Sequence, residues 1–171
     1  VIDDSAEDRA LIQAALRPHH DVVCADTGER GLALATTAPP PDLILLDILM
    51  PGMDGHAVCQ RLKTDARTRD VPVILLSTGS TAEEEGVGLE RGAADHLAKP
   101  LNVPTLLARV RTHLALHAAA TFLHDREAYL EQEVVRRTRS LSLAQDVAIM
   151  SLTSLAETRD ADTGNHIRRT Q

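Results

Sequence analysis

The chain has 171 residues, a net charge of -7 and an aromatic content of 1%. This acidic balance argues against a non-specific nucleic-acid binder, and a single Phe and a single Tyr leave no platform for stacking bases. No apolar run is long enough to span a membrane and no signal peptide opens the chain, so we expect a cytoplasmic protein.

The chain opens on a short apolar stub, Val1-Ile2, followed by the adjacent acids Asp3 and Asp4. A first strand of only two residues indicates that the sequence begins inside a longer one. Ser5 can cap a helix that runs to residue 17. The predicted buried face of this helix contains Ala10, Leu11, Ala14 and Ala15.

The next segments alternate between strand and helix patterns. Residues 21–25 predict a strand, residues 27–37 a helix, and the three prolines at 39–41 end that helix. Asp47 closes the apolar run 41–47, which predicts a buried strand. Open α/β sheets place their chemistry at the carboxyl ends of such strands. Taken alone, Asp47 is explained equally well as a residue that caps a turn.

The second half of the predicted sheet follows the same alternation. Asp54 begins a helix, and the apolar run 71–78 is a strand that ends in hydroxyl residues. Residues 80–83 form a capping-box pattern for a helix to about residue 90, and Gly92 ends that helix. The short strand 94–98 leads into Lys99-Pro100. Five strands alternating with helices predict a parallel sheet covered on both faces.

Several predicted strands therefore end, on one side of the sheet, in an acid, an acid, a hydroxyl and an amine. Carboxylates brought together repel one another unless a cation lies between them, and Mg²⁺ prefers such oxygen ligands. Each residue also has a simpler explanation. Asp3 would cap the first helix, Ser77 would be a turn hydroxyl, and Lys99 would be a solvated surface residue.

The order and spacing of these motifs resemble the receiver domain of two-component response regulators. The resemblance runs from Val1 to about His117. It implies a flavodoxin-like, doubly wound α/β fold with a five-stranded parallel sheet in the order 2-1-3-4-5. The residues that carry it are Asp3-Asp4, Asp47 with Met50-Pro51-Gly52-Met53-Asp54-Gly55, Ser77 and Lys99-Pro100.

The resemblance also implies a metal-assisted phosphoryl transfer. Asp47 would accept the phosphoryl group from a sensor histidine kinase, a phosphotransfer protein or a small acyl phosphate. Mg²⁺ would be the cofactor. Its implied ligands are the carboxylates of Asp4 and Asp47 and the backbone carbonyl of Leu49, with Asp3 acting directly or through a water molecule.

Three further residues receive roles from the same resemblance. Lys99 would pair with a phosphoryl oxygen, and Ser77 would donate a hydrogen bond to the phosphoryl group. His96 occupies the position where receivers commonly carry a Tyr or Phe ring that moves inward when the hydroxyl residue engages phosphate. Ser77 and His96 are therefore the predicted switch pair. The alternative for His96 is an exposed residue of an edge strand.

The last predicted helix, which begins at Val103, is much longer than a receiver requires. Neither Pro nor Gly occurs between Pro104 and Asp162. Glu127 and Arg137 interrupt an otherwise apolar heptad seam, which predicts a parallel dimeric coiled coil. The alternative is one long amphipathic helix that packs on its own domain. The apolar seam residues are Leu116, Leu123, Leu130, Val134, Leu141, Ala148 and Leu155.

The tail of the chain is similar to the opening of HD-GYP domains, which are metal-dependent phosphodiesterases of cyclic di-GMP. The resemblance implies that Asp162 and His166 contribute to an output-domain metal site. The alternative is a solvated polar tail, since one Asp and one His are a weak metal signal. No His-Asp pair and no Gly-Tyr-Pro motif follow, so the enzyme question stays open and no complete hydrolase site is expected in this chain.

We therefore predict three segments: a receiver domain at 1–117, a helical coiled-coil linker at 118–157, and the start of an HD-GYP-like domain at 158–171. The first functional hypothesis is a phosphorylated receiver that signals through a homodimeric linker to the output domain. The second is a regulatory fragment of a metal-dependent phosphohydrolase in which dimerisation is the main signal. A flavodoxin-like cofactor binder is disfavoured, because no glycine-rich loop follows the first strand. Neither nucleic acid nor membrane is an expected partner.

Overall fold

The computed structural model describes residues 1–79 and 92–168, with backbone only for Ala148 and residues 152–168. The chain divides into two compact units, Val1–Ala120 and Thr121–Gln171. The helix predicted over residues 80–90 lies outside the described residues.

The described elements begin and end close to their predicted positions. Ser5, Thr27 and Asp54 each accept a hydrogen bond from a backbone N–H in the first turn of the helix that follows. These caps confirm the predicted helix starts. The helices are α1 (Ala6–Leu16), α2 (Gly28–Ala35), α3 (Gly55–Thr64) and α4 (Val103–Arg168), and the strands are β1 (Ile44–Asp47), β2 (Val73–Ser77) and β3 (Asp95–Ala98).

The three strands form a parallel sheet in the order β1-β2-β3. Ile2 makes isolated parallel bridges to both Ala25 and Leu46, so the two N-terminal segments lie beyond β1 in the predicted order. The predicted count of five strands is not reached in the described part of the chain. The first two appear as single bridges, because the stub from Val1 to Asp3 offers the segment ending at Ala25 very few ladder partners.

Helices cover both faces of the sheet, which confirms the doubly wound architecture. Successive strand residues point to opposite faces. Ile44 and Leu46 of β1 pack with residues of α2 and α3, whereas Leu45 packs with residues of α1 and α4. The predicted buried face of α1 is wrong: its buried residues are Ile12 and Leu16. The exposed residues of α1 include three that were predicted to be buried: Ala10, Leu11 and Ala14.

The predicted long C-terminal helix is confirmed as α4. Where side chains of the second unit are described, the apolar ones are exposed, and Leu123 and Leu141 have 64% and 71% of their surface accessible. Glu133 forms ion pairs with Arg136 and Arg137 on the same helix. Within the described part of the chain, no helix combines the length and the apolar composition needed to cross a membrane.

The carboxylate of Asp95, on β3, attaches the sheet to the N-terminal part of α4. Its Oδ2 atom lies 2.9 Å from Nε2 of His113 and 3.2 Å from Nη1 of Arg109. Burial alone would raise the pKa of Asp95, but its hydrogen bonds with His113 and the His96 N–H outweigh burial and lower that pKa. The folded protein therefore favours the charged carboxylate.

We expect Asp95→Asn to reduce the free energy of unfolding at neutral pH by about 1–2 kcal/mol. The neutral amide would weaken the hydrogen bonds that the charged carboxylate makes with His113 and the His96 N–H. A carboxyl whose pKa is lowered by folding stabilises the protein above its unfolded pKa, and this contribution is lost as pH falls through the folded pKa. The difference between wild type and variant should therefore shrink below pH 3.8, the ordinary pKa of this carboxyl.

Thermal unfolding at a series of pH values measures this difference. Asp70→Asn is the matched control, because the Asp70 side chain is 80% exposed and its ion pair with Arg69 lies at the surface. A difference between wild type and Asp95→Asn that stays constant through the acid range would contradict the prediction.

Candidate functional site

Asp47 lies at the carboxyl end of β1 and is only 4% exposed. The three apolar residues before it are buried in the sheet, and this strand register places its carboxylate at the strand end. Its Oδ1 atom accepts a hydrogen bond from the backbone N–H of Leu49 at 3.1 Å. This local turn fixes the orientation of the carboxylate. The predicted role of the Leu49 carbonyl as a metal ligand stays a prediction.

Asp3 and Asp4 follow the bridging residue Ile2 and lie beside Asp47. Asp3 is fully buried, and its Oδ1 accepts a hydrogen bond from the Ser5 backbone N–H at 2.8 Å. Asp4 is exposed. One carboxylate oxygen from each of Asp3, Asp4 and Asp47 lies within 4.8 Å of the other two. The structure therefore brings the three predicted carboxylates together.

The ammonium group of Lys99 lies among these carboxylates. Its Nζ atom is 2.8 Å from Oδ2 of Asp47, 2.9 Å from Oδ2 of Asp3 and 2.8 Å from Oδ2 of Asp8. Burial alone would lower the pKa of Lys99, but hydrogen bonds to Asp47, Asp8 and Asp3 outweigh burial and raise that pKa. Lys99 is therefore held as a cation that donates hydrogen bonds to Asp3 and Asp47 and forms an ion pair with Asp8.

The donor set of this site fits a small divalent cation. Burial raises the pKa of Asp3, although its hydrogen bonds with Lys99 and the Ser5 N–H oppose the rise. Among the described residues, the carboxylates of Asp3, Asp4, Asp8 and Asp47 outnumber the ammonium of Lys99 at this site. Clustered carboxylate oxygens with excess negative charge are ligands suited to Mg²⁺. The residues present therefore fit the implied metal.

Ser77 lies at the carboxyl end of β2 and is 3% exposed. Its backbone carbonyl accepts a hydrogen bond from the Lys99 backbone N–H at 2.7 Å, which places the two residues side by side. The Ser77 hydroxyl donates to the carbonyl of Gly79 at 2.6 Å and lies 2.5 Å from Nε2 of His96. His96, on β3, is half-buried. The two predicted switch residues are thus in direct contact.

The segment after Asp47 turns sharply into α3. Gly52 has a φ of +82°, a conformation that favours glycine. Gly55 is the first residue of α3 and packs against the end of β1. A Cβ atom there would collide with the Asp47 carbonyl oxygen and lie 2.7 Å from Cα of Ile48. Gly52 therefore permits the turn, and Gly55 allows α3 to begin against the backbone of Asp47.

One site residue, Asp8, was not predicted from the sequence. It lies in the first turn of α1, where an acid is normally explained by the helix dipole. Its spacing of one helical turn from Asp4 was the available signal. Asp162 and His166 lie in the described backbone of α4 in the second unit, and their side chains are outside the described residues. Their predicted metal role stays a prediction.

Residues 1–111 match the family of response regulator receiver domains. The chain belongs to this family. The predicted resemblance is thereby confirmed, and the carboxylates and Lys99 lie within the matched receiver domain.

Two curated relatives are similar to this chain and are longer than it. A probable cyclic di-GMP phosphodiesterase of Vibrio cholerae is 40% identical over 171 residues, which is all of this chain and 38% of the relative. The response regulator PleD of Caulobacter vibrioides is 40% identical over 129 residues, or 75% of this chain and 28% of PleD. The chain thus spans well under half the length of these relatives.

Solved receiver structures share the fold. The receiver domain of the Francisella response regulator 1452 has a TM-score of 0.62 and 29% identity, covering 67% of this chain and 93% of that one. The chemotaxis protein CheY4 of Vibrio cholerae has the same TM-score and identity, covering 65% and 92%. These similarities support the flavodoxin-like fold class predicted from the sequence.

Proposed function

We propose that Asp47 accepts a phosphoryl group and that this event controls a downstream unit. The observation that carries the proposal is the Lys99 ammonium, 2.8 Å from Oδ2 of a buried carboxylate at a strand end. A carboxylate oxygen of Asp47 attacks phosphorus and forms a P–O bond, while the bond to the donor breaks. The leaving group is the imidazole of a phosphohistidine or the carboxylate of an acyl phosphate, and the product is an aspartyl phosphate.

Other groups of the site also have roles in this transfer. Lys99 offsets charge on a phosphoryl oxygen as a point cation. Ser77 donates its hydroxyl proton to the phosphoryl group once that group is on Asp47. Asp3, Asp4, Asp47 and the Leu49 carbonyl would hold Mg²⁺, which when bound supplies positive charge against the phosphoryl oxygens and aligns them.

Intact-mass measurement after incubation with acetyl phosphate and Mg²⁺ tests the proposal. We expect the wild-type chain to gain the mass of one phosphoryl group, and the gain to require Mg²⁺. A chain that gains no mass under these conditions, and none from a phosphorylated histidine kinase, would overturn it.

We further propose that the signal leaves through α4. The apolar seam of α4 is exposed in the described residues of the second unit, which supports pairing with a second copy. The phosphoryl donor to Asp47 would be a sensor histidine kinase or a phosphotransfer protein. The output would be an HD-GYP phosphodiesterase, a proposal supported by the full-length coverage of this chain by the Vibrio cholerae relative. Asp162 and His166 would contribute metal ligands there.

The second candidate function is a regulatory fragment of a metal-dependent phosphohydrolase. In this case dimerisation, and not phosphorylation, is the main signal. The same exposed seam of α4 favours it. In that case the oligomeric state would be unchanged by acetyl phosphate, and activity of an attached output domain would follow dimerisation alone. Measuring both quantities before and after phosphorylation separates the two candidates.

Mg²⁺ should raise the melting temperature of the chain, because a ligand that binds only the native state stabilises it. The expected stabilisation is about 2.7 kcal/mol when Mg²⁺ is present at about 100 times its dissociation constant. Asp4→Ala should abolish the rise, because it removes one of the three clustered carboxylates. Thermal unfolding during a Mg²⁺ titration measures the effect.

Asp42→Ala is the matched control, because Asp42 is exposed and lies outside the carboxylate cluster. It should keep the wild-type rise. An unchanged rise in Asp4→Ala would show that Asp4 is not a ligand.

A further inference from the structure

The Ser77 hydroxyl has two close polar neighbours among the described residues, and they differ in what they can do. The carbonyl oxygen of Gly79, at 2.6 Å, can only accept a hydrogen bond. The Nε2 atom of His96, at 2.5 Å, is either a donor or an acceptor, depending on the tautomer of the ring. Both contacts are short enough to be hydrogen bonds.

Counting protons assigns the direction of each bond. A serine hydroxyl has one proton to donate and two lone pairs that accept. Gly79 contributes no proton, so the Ser77 proton must lie between Oγ and the Gly79 oxygen, since two bare oxygens at 2.6 Å would repel each other. Nε2 of His96 must therefore carry its own proton and donate it to Oγ of Ser77. The tautomer with a protonated Nε2 is the one that fits this contact.

The backbone holds both residues in place for this interaction. Ser77 pairs with Ala98 in the parallel register of β2 and β3, and His96 pairs with Leu75 in the same ladder. The backbone N–H of His96 also donates to Oδ1 of its neighbour Asp95 at 2.8 Å. The His96 ring is thus presented to Ser77 from a strand whose register against β2 is fixed by the ladder.

We propose that His96 is a positioning residue for Ser77, an inference that rests on the proposed phosphorylation of Asp47. The Nε2–H group of His96 occupies one lone pair of Oγ and leaves the hydroxyl proton free to rotate from Gly79 to a phosphoryl oxygen. The Ser77 hydroxyl then donates to the phosphoryl group while it still accepts from His96. Hydrogen bonds in such a chain polarise and strengthen one another.

This role differs from the one expected for a Tyr or Phe ring at the same position. Such a ring is expected to move inward when the hydroxyl engages phosphate, whereas His96 already contacts Ser77. A Phe ring offers no N–H to Oγ. The histidine therefore adds a hydrogen bond to the phosphoryl-binding chain without a change in the position of the ring.

The affinity of the full chain for beryllofluoride, a phosphoryl analogue that bonds to carboxylates, tests the proposal in the presence of Mg²⁺. We expect His96→Phe to weaken beryllofluoride binding about fivefold to tenfold. This is the effect expected from the loss of the one hydrogen bond that Nε2 of His96 donates to Oγ of Ser77. His96→Gln places an amide N–H near the position of Nε2 and should restore affinity to within about twofold of wild type. His96→Leu, measured in parallel, should resemble His96→Phe.

A double-mutant cycle shows whether His96 acts through Ser77. In a Ser77→Ala background, His96→Phe should cause no further loss of affinity, because the group it positions is absent. Equal losses in both backgrounds, a wild-type affinity in His96→Phe, or a His96→Gln variant as weak as His96→Phe would each overturn the inference. Wild-type chain that neither binds beryllofluoride nor gains phosphoryl mass would overturn the proposed function as well.

Discussion

Asp47→Asn should gain no phosphoryl mass in acetyl phosphate and Mg²⁺, whereas wild-type chain should gain one group. The amide keeps the shape of the carboxylate but removes the nucleophilic oxygen that forms the new bond to phosphorus. The buried environment of Asp47 at the end of β1 is retained. Lys99 keeps its contacts with Asp3 and Asp8, so the fold of the site should persist. Intact-mass spectrometry measures the result directly.

Asp42→Asn is the matched control for this experiment. Asp42 is exposed, lies five residues before Asp47 in the sequence, and belongs to no described carboxylate cluster. It should be phosphorylated like wild type. A phosphoryl mass on Asp47→Asn would show that another side chain accepts the group, and peptide mapping would then identify it.

The full chain should be a dimer in solution, and a version that ends at His117 should be a monomer. The exposed leucines and valines of α4 lie mostly beyond residue 117, and a contiguous apolar stripe of this length is uncommon on monomers. Parallel pairing would place two C-terminal ends side by side, so that a change at the receiver reaches the output domain. Light scattering on both chains gives their masses.

A pair of substitutions locates the interface more sharply. Leu130 occupies the predicted seam, whereas Val135 is 68% exposed and lies off it. Leu130→Lys removes two buried leucines from each dimer, one per chain. Each buried leucine contributes about 1.5 kcal/mol to the free energy of dimerisation, so the dimer dissociation constant should rise about a hundredfold. Val135→Lys should leave it within about twofold. A monomeric full chain would refute the coiled coil, and a dimeric short version would move the interface to the receiver.

The positions of the candidate site residues were predictable because they follow from strand ends. Asp47 and Ser77 each come directly after a run of apolar residues, Lys99 follows the short mixed strand 95–98, and parallel strands bring such ends to one edge. Asp8 was missed because an acid in the first turn of a helix has an ordinary local explanation. The contact between His96 and Ser77 depends on side-chain rotamers, which sequence spacing does not specify.

The fold was predictable where apolar residues are large and clustered. The buried runs of β1 and β2 gave clear strands, and the caps at Ser5 and Asp54 marked helix starts. The buried face of α1 was assigned wrongly because alanines lie on several faces of that helix and small side chains give a weak periodic signal. Ile12 and Leu16, which bury more surface, set the true face.

The two glycines after Asp47 should differ in the substitutions they tolerate. Position 52 needs a positive φ, but a Cβ atom there would meet no described atom within 4 Å beyond its chain neighbours, so asparagine is the residue best able to replace glycine. Position 55 has a different requirement, because its φ is not in the left-handed region but a Cβ atom on this backbone would collide with the Asp47 carbonyl oxygen. In a library of single substitutions, the positive φ would limit which residues are accepted at position 52. At position 55 the lack of space for a Cβ atom would limit them.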